Sequence, residues 1–178
     1  MLRVGVEVVP AAVDEVAIAS GLEPIEAVRA VAMAKAQAVH GGGRPVLAAD
    51  TLVVHDGTVL GKPADRADAF AMLERQSGSL IQVVTAVALR HPDETIDDRL
   101  AVSTLQVDPL DDATIVEYLA TGVADDKAGA LAVQGEANSF VTIVDGSRSN
   151  VVGLPLAETA ELLRSVGIIL EDPPTSAL

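Results

Sequence analysis

Six residues of this chain carry a charge or an amide in apolar or glycine-rich settings: Glu15, Lys35, Asp50, Lys62, Lys127 and Gln134. Two acids with two or three lysines, and neither histidine nor cysteine among them, match what a triphosphate needs. Carboxylates hold a hard divalent cation, Mg²⁺ or Mn²⁺, through oxygen. Lysines act as point charges on phosphate, and an aspartate can orient or deprotonate the water that attacks phosphorus. The spacing alone is unspecific, because the chain has neither a Walker loop nor G-x-G-x-x-G.

The elements that must position these residues centre on VLAADTLVVHDGTVLGKP, Val46 to Pro63. Strand periodicity puts Asp50 on one face with Val46, Ala48, Leu52 and Val54. A buried carboxylate without a partner costs several kcal/mol or gives up its charge, so Asp50 needs a metal, a lysine or a wetted cleft. Asp56-Gly57 predicts a tight turn, and the returning arm delivers Lys62 between Gly61 and Pro63. The alternative is a plain hairpin in which Asp50 caps a loop and Lys62 is solvated.

Upstream, residues 4–9 (VGVEVV) read as a strand. A helix opens at Pro24 and is closed by Gly41-Gly42-Gly43, with Ile25, Val28, Val31, Ala32 and Val39 as its apolar stripe. Lys35 falls inside that stripe, so it either snorkels past the core edge or points into a cleft. Downstream, Asp65 and Asp111 cap helices that run to about Gln76 and Gly122, with Leu110 and Ile115 as a staple for the second. Residues 79–90 and 95–107 form a hairpin. Residues 125–136 are irregular, residues 140–144 are a strand, and residues 147–153 are a polar loop in which Ser149 and Asn150 shape a turn. A last helix spans about 155–166, followed by a loose tail at 171–178. The expected class is α/β, with a mixed sheet flanked by helices.

At 178 residues, 49 % hydrophobic, the chain is long enough to bury a single domain's core, and with 2 % aromatics that core is aliphatic. The absence of cysteine removes disulfides and thiol chemistry. His40, His55 and His91 sit beside glycine or turn residues and read as surface positions. No run approaches the roughly 20 apolar residues of a membrane span, so a cytoplasmic location is expected. A net charge of −14 disfavours nucleic acid polymers and membranes as partners, yet permits a small anion in a local basic site. Only three of the twelve basic residues are lysines, at 35, 62 and 127.

The chain resembles the Maf family of nucleoside triphosphate pyrophosphatases. The matching segments are VDE (Val13–Glu15), AxxKA (Ala32–Ala36), AADTLVV (Ala48–Val54), GKP (Gly61–Pro63), VVTAV (Val83–Val87), DKAGALAVQG (Asp126–Gly135) and GSRSNVVGLPLAET (Gly146–Thr159). They stand in family order and cover nearly the whole chain. The resemblance implies an elongated α/β fold of two lobes with a central cleft, a divalent metal cation, and homodimer formation. It also implies hydrolysis of a nucleoside triphosphate to monophosphate and pyrophosphate. Asp50 would accept the proton of the attacking water, Lys35 and Lys62 would bind phosphates, and Glu15 with Asp50 would hold the metal. Thr51 and Gln134 match the specificity positions of the dTTP/UTP branch. The family opens with a strand and a Ser-x-Ser-Pro-Arg-Arg loop, whereas Met1 to Gly5 here align after that loop. The resemblance therefore implies one of two things: a true start upstream of Met1, or a chain shortened at its amino terminus that lacks a strand and a phosphate-gripping loop and has lost much of its activity. Two functions are expected in consequence: a pyrophosphatase for dTTP, UTP or modified pyrimidine triphosphates, or a weak or inactive nucleotide-binding regulator linked to septum formation.

Overall fold

The computed structural model of the protein describes residues 4–132 and 139–170. In chain order the elements are α1 (Glu15–Ala19), α2 (Pro24–Ala38), β1 (Val46–His55), β2 (Thr58–Leu60), α3 (Arg66–Gln76), β3 (Leu80–Arg90), β4 (Ile96–Val107) and α4 (Asp112–Ala120). A 3₁₀ turn (Ala128–Ala130), β5 (Val141–Asp145), the short α5 (Arg148–Val151) and α6 (Leu156–Ser165) follow. The strands form one sheet in the order β2-β1-β3-β4-β5. The α/β class with flanking helices is as expected; the five described strands run antiparallel, so no mixed pairing is seen among them.

Turn and cap chemistry sets most boundaries. Asp56 and Gly57 take φ of 48° and 74°, the left-handed pair that a two-residue hairpin needs, and set the register Val53↔Leu60, Val54↔Val59 and His55↔Thr58. Asp65 accepts from the Asp68 N–H at the start of α3, and Asp111 accepts from the Thr114 N–H at the start of α4.

The chain divides into two compact units. One comprises Met1–Asp50, Thr85–Ala101 and Gly153–Leu178; the other comprises Thr51–Val84 and Val102–Val152. The first has a core of Val87, Leu89, Leu162 and Leu163, against which Leu47 and Ala49 of β1 pack. The second is larger: Leu73 of α3, Ile81 of β3, Leu105 of β4 and Ile115 of α4 are all essentially inaccessible. Each such side chain stabilises the fold by about 1.5–3 kcal/mol.

Three expectations are corrected and one helix is added. Residues 4–9 are not a strand, and Val6 and Val8 are 77 % and 86 % exposed. Their β-branched alternation suits a pleated strand, but they have no strand partner among the described residues. Residues 15–19 form a helix that the apolar pattern does not announce, capped by Asp14 through the Ala17 N–H. The polar loop after β5 contains α5, capped by Ser147. His55 is buried, with Nε2 3.0 Å from Ser79 Oγ, because the segment leading into β3 covers it. The tail at 171–178 lies outside the described residues.

Candidate active site

The first unit brings three of the expected residues together. The Asp14 cap starts α1 and places Glu15 in its first turn. Pro24 starts α2, whose buried stripe is Ala27, Val28, Val31, Ala32 and Ala36, and Lys35 projects from the last turn beside it. Asp50 lies halfway along β1. Lys35 Nζ donates to Asp50 Oδ1 at 2.8 Å and stands 2.8 Å from Glu15 Oε1. The Asp50 side chain is 9 % exposed and that of Lys35 19 %, while Glu15 reaches solvent at 56 %. Of the two positions open to Lys35, the ammonium takes the one that meets the partner Asp50 requires.

Electrostatics hold Lys35 charged. Burial is the largest effect on Lys35 and opposes its charge, but the hydrogen bonds and charges of Asp50 and Glu15 together outweigh it. The pKa is thereby raised above the ordinary 10.5. At neutral pH Lys35 is a fixed cation and cannot serve as a base. Two of its three donors are committed to carboxylates, and Asp50 and Glu15 present only acceptors when ionised.

A cavity of about 650 Å³ opens in the same unit, along the stem of Lys35 and against Val39, Val46, Leu47 and Leu163. Its walls are largely aliphatic, and it touches neither Asp50 nor Glu15.

The second unit holds Lys62 and Thr51. Thr51 is half-buried in β1. Lys62 is exposed in the loop after β2, where the Gly61 carbonyl accepts from the Gly129 N–H at 2.9 Å. The charge of Lys62 reaches Asp126, whose carboxyl is lowered first by a 2.6 Å hydrogen bond from Lys127 and further by that charge. Lys127 therefore pairs with its own chain neighbour. Gln134 lies outside the described residues.

Asn150 is an anchor. It is buried, and Nδ2 donates to the Val83 carbonyl at 3.0 Å and to Ser103 Oγ at 2.8 Å. Sequence reasoning placed it in a turn and missed this reach; Ser147 three residues earlier, an N-cap residue, is the signal of a helix there. Gln76, 0 % exposed, was not foreseen at all, since a glutamine in the last turn of a helix looks like surface.

For a metal, the donor set is oxygen only: two carboxylates whose nearest oxygens both meet Lys35 Nζ, so that a cation would share them with the ammonium. Among the described residues no group of three or more histidine, cysteine or acidic side chains could hold a metal ion. Two carboxylates fit Mg²⁺ or Mn²⁺, which take one or two protein oxygens and complete their shell with water and phosphate.

An antiparallel sheet with flanking helices, and a lysine clasped by a strand aspartate and a helix glutamate, define an α/β protein with an acid–base cluster. The chain belongs to the Maf family: the family model described as "Maf-like protein" matches residues 1–166. It is similar to proteins named dTTP/UTP pyrophosphatase. That of Anaeromyxobacter sp. strain Fw109-5 is 50 % identical over 174 residues, which cover 93 % of this chain and 82 % of that protein. That of Anaeromyxobacter dehalogenans is 46 % identical over 172 residues, 95 % of this chain and 87 % of that protein. The Bordetella avium protein is 50 % identical over 126 residues, 71 % of this chain but only 62 % of its own length, under two thirds.

Proposed function

We propose that this chain is a nucleoside triphosphate pyrophosphatase that cleaves dTTP, UTP or modified pyrimidine triphosphates to the monophosphate and pyrophosphate. The observation that carries the reading is the clasp of Lys35 by Asp50 and Glu15. The names of the relatives support the substrate class.

In this reading Asp50 accepts the proton of a water whose oxygen bonds to the α-phosphorus, and the bond from that phosphorus to the bridging oxygen breaks with pyrophosphate as leaving group. Lys35 keeps Asp50 ionised and turns its third donor to a phosphate oxygen. Lys62 adds a second positive charge on the phosphates. Thr51 and Gln134 select the pyrimidine, the amide of Gln134 both donating to and accepting from the base edge. Glu15 and Asp50 would hold Mg²⁺ or Mn²⁺, which when bound neutralises charge developing on the phosphate oxygens.

The test is pyrophosphate release from a panel of triphosphates with Mg²⁺ or Mn²⁺, wild type beside Asp50→Asn. The expected outcome is a preference for pyrimidines and a fall in kcat of about 10²–10⁴-fold in the variant, the usual worth of a positioned base. Turnover indifferent to Asp50→Asn overturns the assignment of Asp50. Binding of triphosphate without turnover by the wild type would favour the regulatory reading instead.

A further inference from the structure

Gln76 ends α3 with its side chain wholly buried. Its Nε2 donates to two carbonyls, Met72 O at 2.9 Å and Gly129 O at 2.7 Å. Both partners are acceptors, which fixes the amide's orientation and leaves Oε1 buried with no hydrogen-bond partner. Such an atom costs free energy, so the side chain is not held there by its own satisfaction. The other backbone group of the same residue shows what it holds: the Gly129 N–H donates to the Gly61 carbonyl, one residue before Lys62. Gly129 has φ of 66°, and a Cβ there would lie 3.3 Å from Gln76 Oε1 and from Leu60 Cδ1. The seat thus suits glycine for two separate reasons. A second buried polar group secures the far end, since the Ala132 N–H donates to Tyr118 Oη at 2.8 Å. The segment 128–132 is a strap tied from beneath by α3 and α4, and the loop of Lys62 is tied to the strap.

We propose that Gln76 is a positioning residue for substrate: through the backbone of Gly129, held at its carbonyl, and the Gly61 carbonyl that its N–H reaches, it fixes where Lys62 presents its ammonium to phosphate. This rests on the reading of Lys62 as a phosphate-binding residue. Gln76 touches no substrate, so its loss acts on binding through one lysine and leaves the chemical step alone. A general packing defect would instead act whether or not Lys62 is present.

The test is a double-mutant cycle of Gln76→Met and Lys62→Met, read as KM and kcat for dTTP hydrolysis, with hydrogen exchange at the Gly129 amide in parallel. Gln76→Met is expected to raise KM about tenfold, the size of one buried hydrogen bond, with kcat within about twofold. In the Lys62→Met background the same change is expected to leave KM unmoved. A Gln76→Met effect of equal size in both backgrounds, or none in the wild-type background, overturns the proposal. If Gln76→Met does not fold, Gly129→Ala carries the same cycle, because it crowds the strap off the same contact. Should the wild type hydrolyse no triphosphate, the reading of the function fails by itself. The Gly129 amide then decides for the strap: tenfold faster exchange in Gln76→Met supports the tie to Gly61, and unchanged exchange refutes it.

Discussion

Lys35 shows how little freedom a charged group has inside an aliphatic protein. Asp50 is nearly inaccessible, and burial works against the charge of Lys35, whose pKa is raised only because the hydrogen bonds and charges of Asp50 and Glu15 outweigh it. Removing the cation by Lys35→Met is expected to cost about 1–3 kcal/mol at neutral pH, because it strands a buried carboxylate. The pH dependence has a definite sign. The folded pKa of Lys35 lies above its unfolded value, so its contribution is complete below about 10.5 and disappears as pH rises through the folded value. Denaturant midpoints measured across that alkaline range should fall more steeply for wild type than for Lys35→Met. The phenol of Tyr118, also raised, first by burial, titrates in both proteins and cancels in the difference. Parallel curves would mean that the clasp contributes nothing to stability.

Elements were legible where local chemistry fixes their ends. The aspartate caps at 65 and 111, the Asp56-Gly57 turn and the hairpin of β3 and β4 follow from residues within a few positions of each other. Where a partner distant in sequence decides, reading failed. The valines of 4–9 have strand propensity without a strand beside them, and His55 is buried by Ser79 from another strand's approach. Asn150 likewise reaches residues 67 and 47 positions away. The turn leading into α5 illustrates such long-range demand. Gly146 has φ of 90°, and a Cβ there would lie 2.3 Å from Ser103 Oγ, the atom that accepts from Asn150 Nδ2 and from the Ser147 N–H. Gly146→Ala should therefore destabilise by more than about 2 kcal/mol, since strain and collision add. Gly167→Ala has φ of 75° and open space around it, and should cost only the backbone term, about 1–2 kcal/mol. Urea denaturation of the two variants side by side checks the gap; equal losses would place the collision in doubt.

Across the molecule the decisive quantity is charge. Fourteen net negative charges surround whatever basic groups receive an anion, so in the proposed function a triphosphate would meet repulsion before it meets Lys35 or Lys62. Added salt screens that far field more than it screens close contacts. With divalent cation held constant, kcat/KM for dTTP should rise between about 0.01 and 0.15 M ionic strength as the Debye length shortens. A fall would mean that the local lysine field governs encounter. At this scale the candidate site was partly legible. Placement on an apolar face singled out Lys35 and Asp50, which need partners there, whereas which partner each would take was not legible, and Glu15 lies half exposed. Gln76 escaped notice, since an uncharged amide raises no such alarm until its burial is seen.

The bond from Ala132 to Tyr118 has a practical side. The chain has one tyrosine and no tryptophan, so its ultraviolet emission comes from a single ring, stacked edge-on against Phe140 with its hydroxyl on the strap. Loosening of that segment, by a variant or by a bound nucleotide, is written directly into the brightness of one native fluorophore, without any label attached.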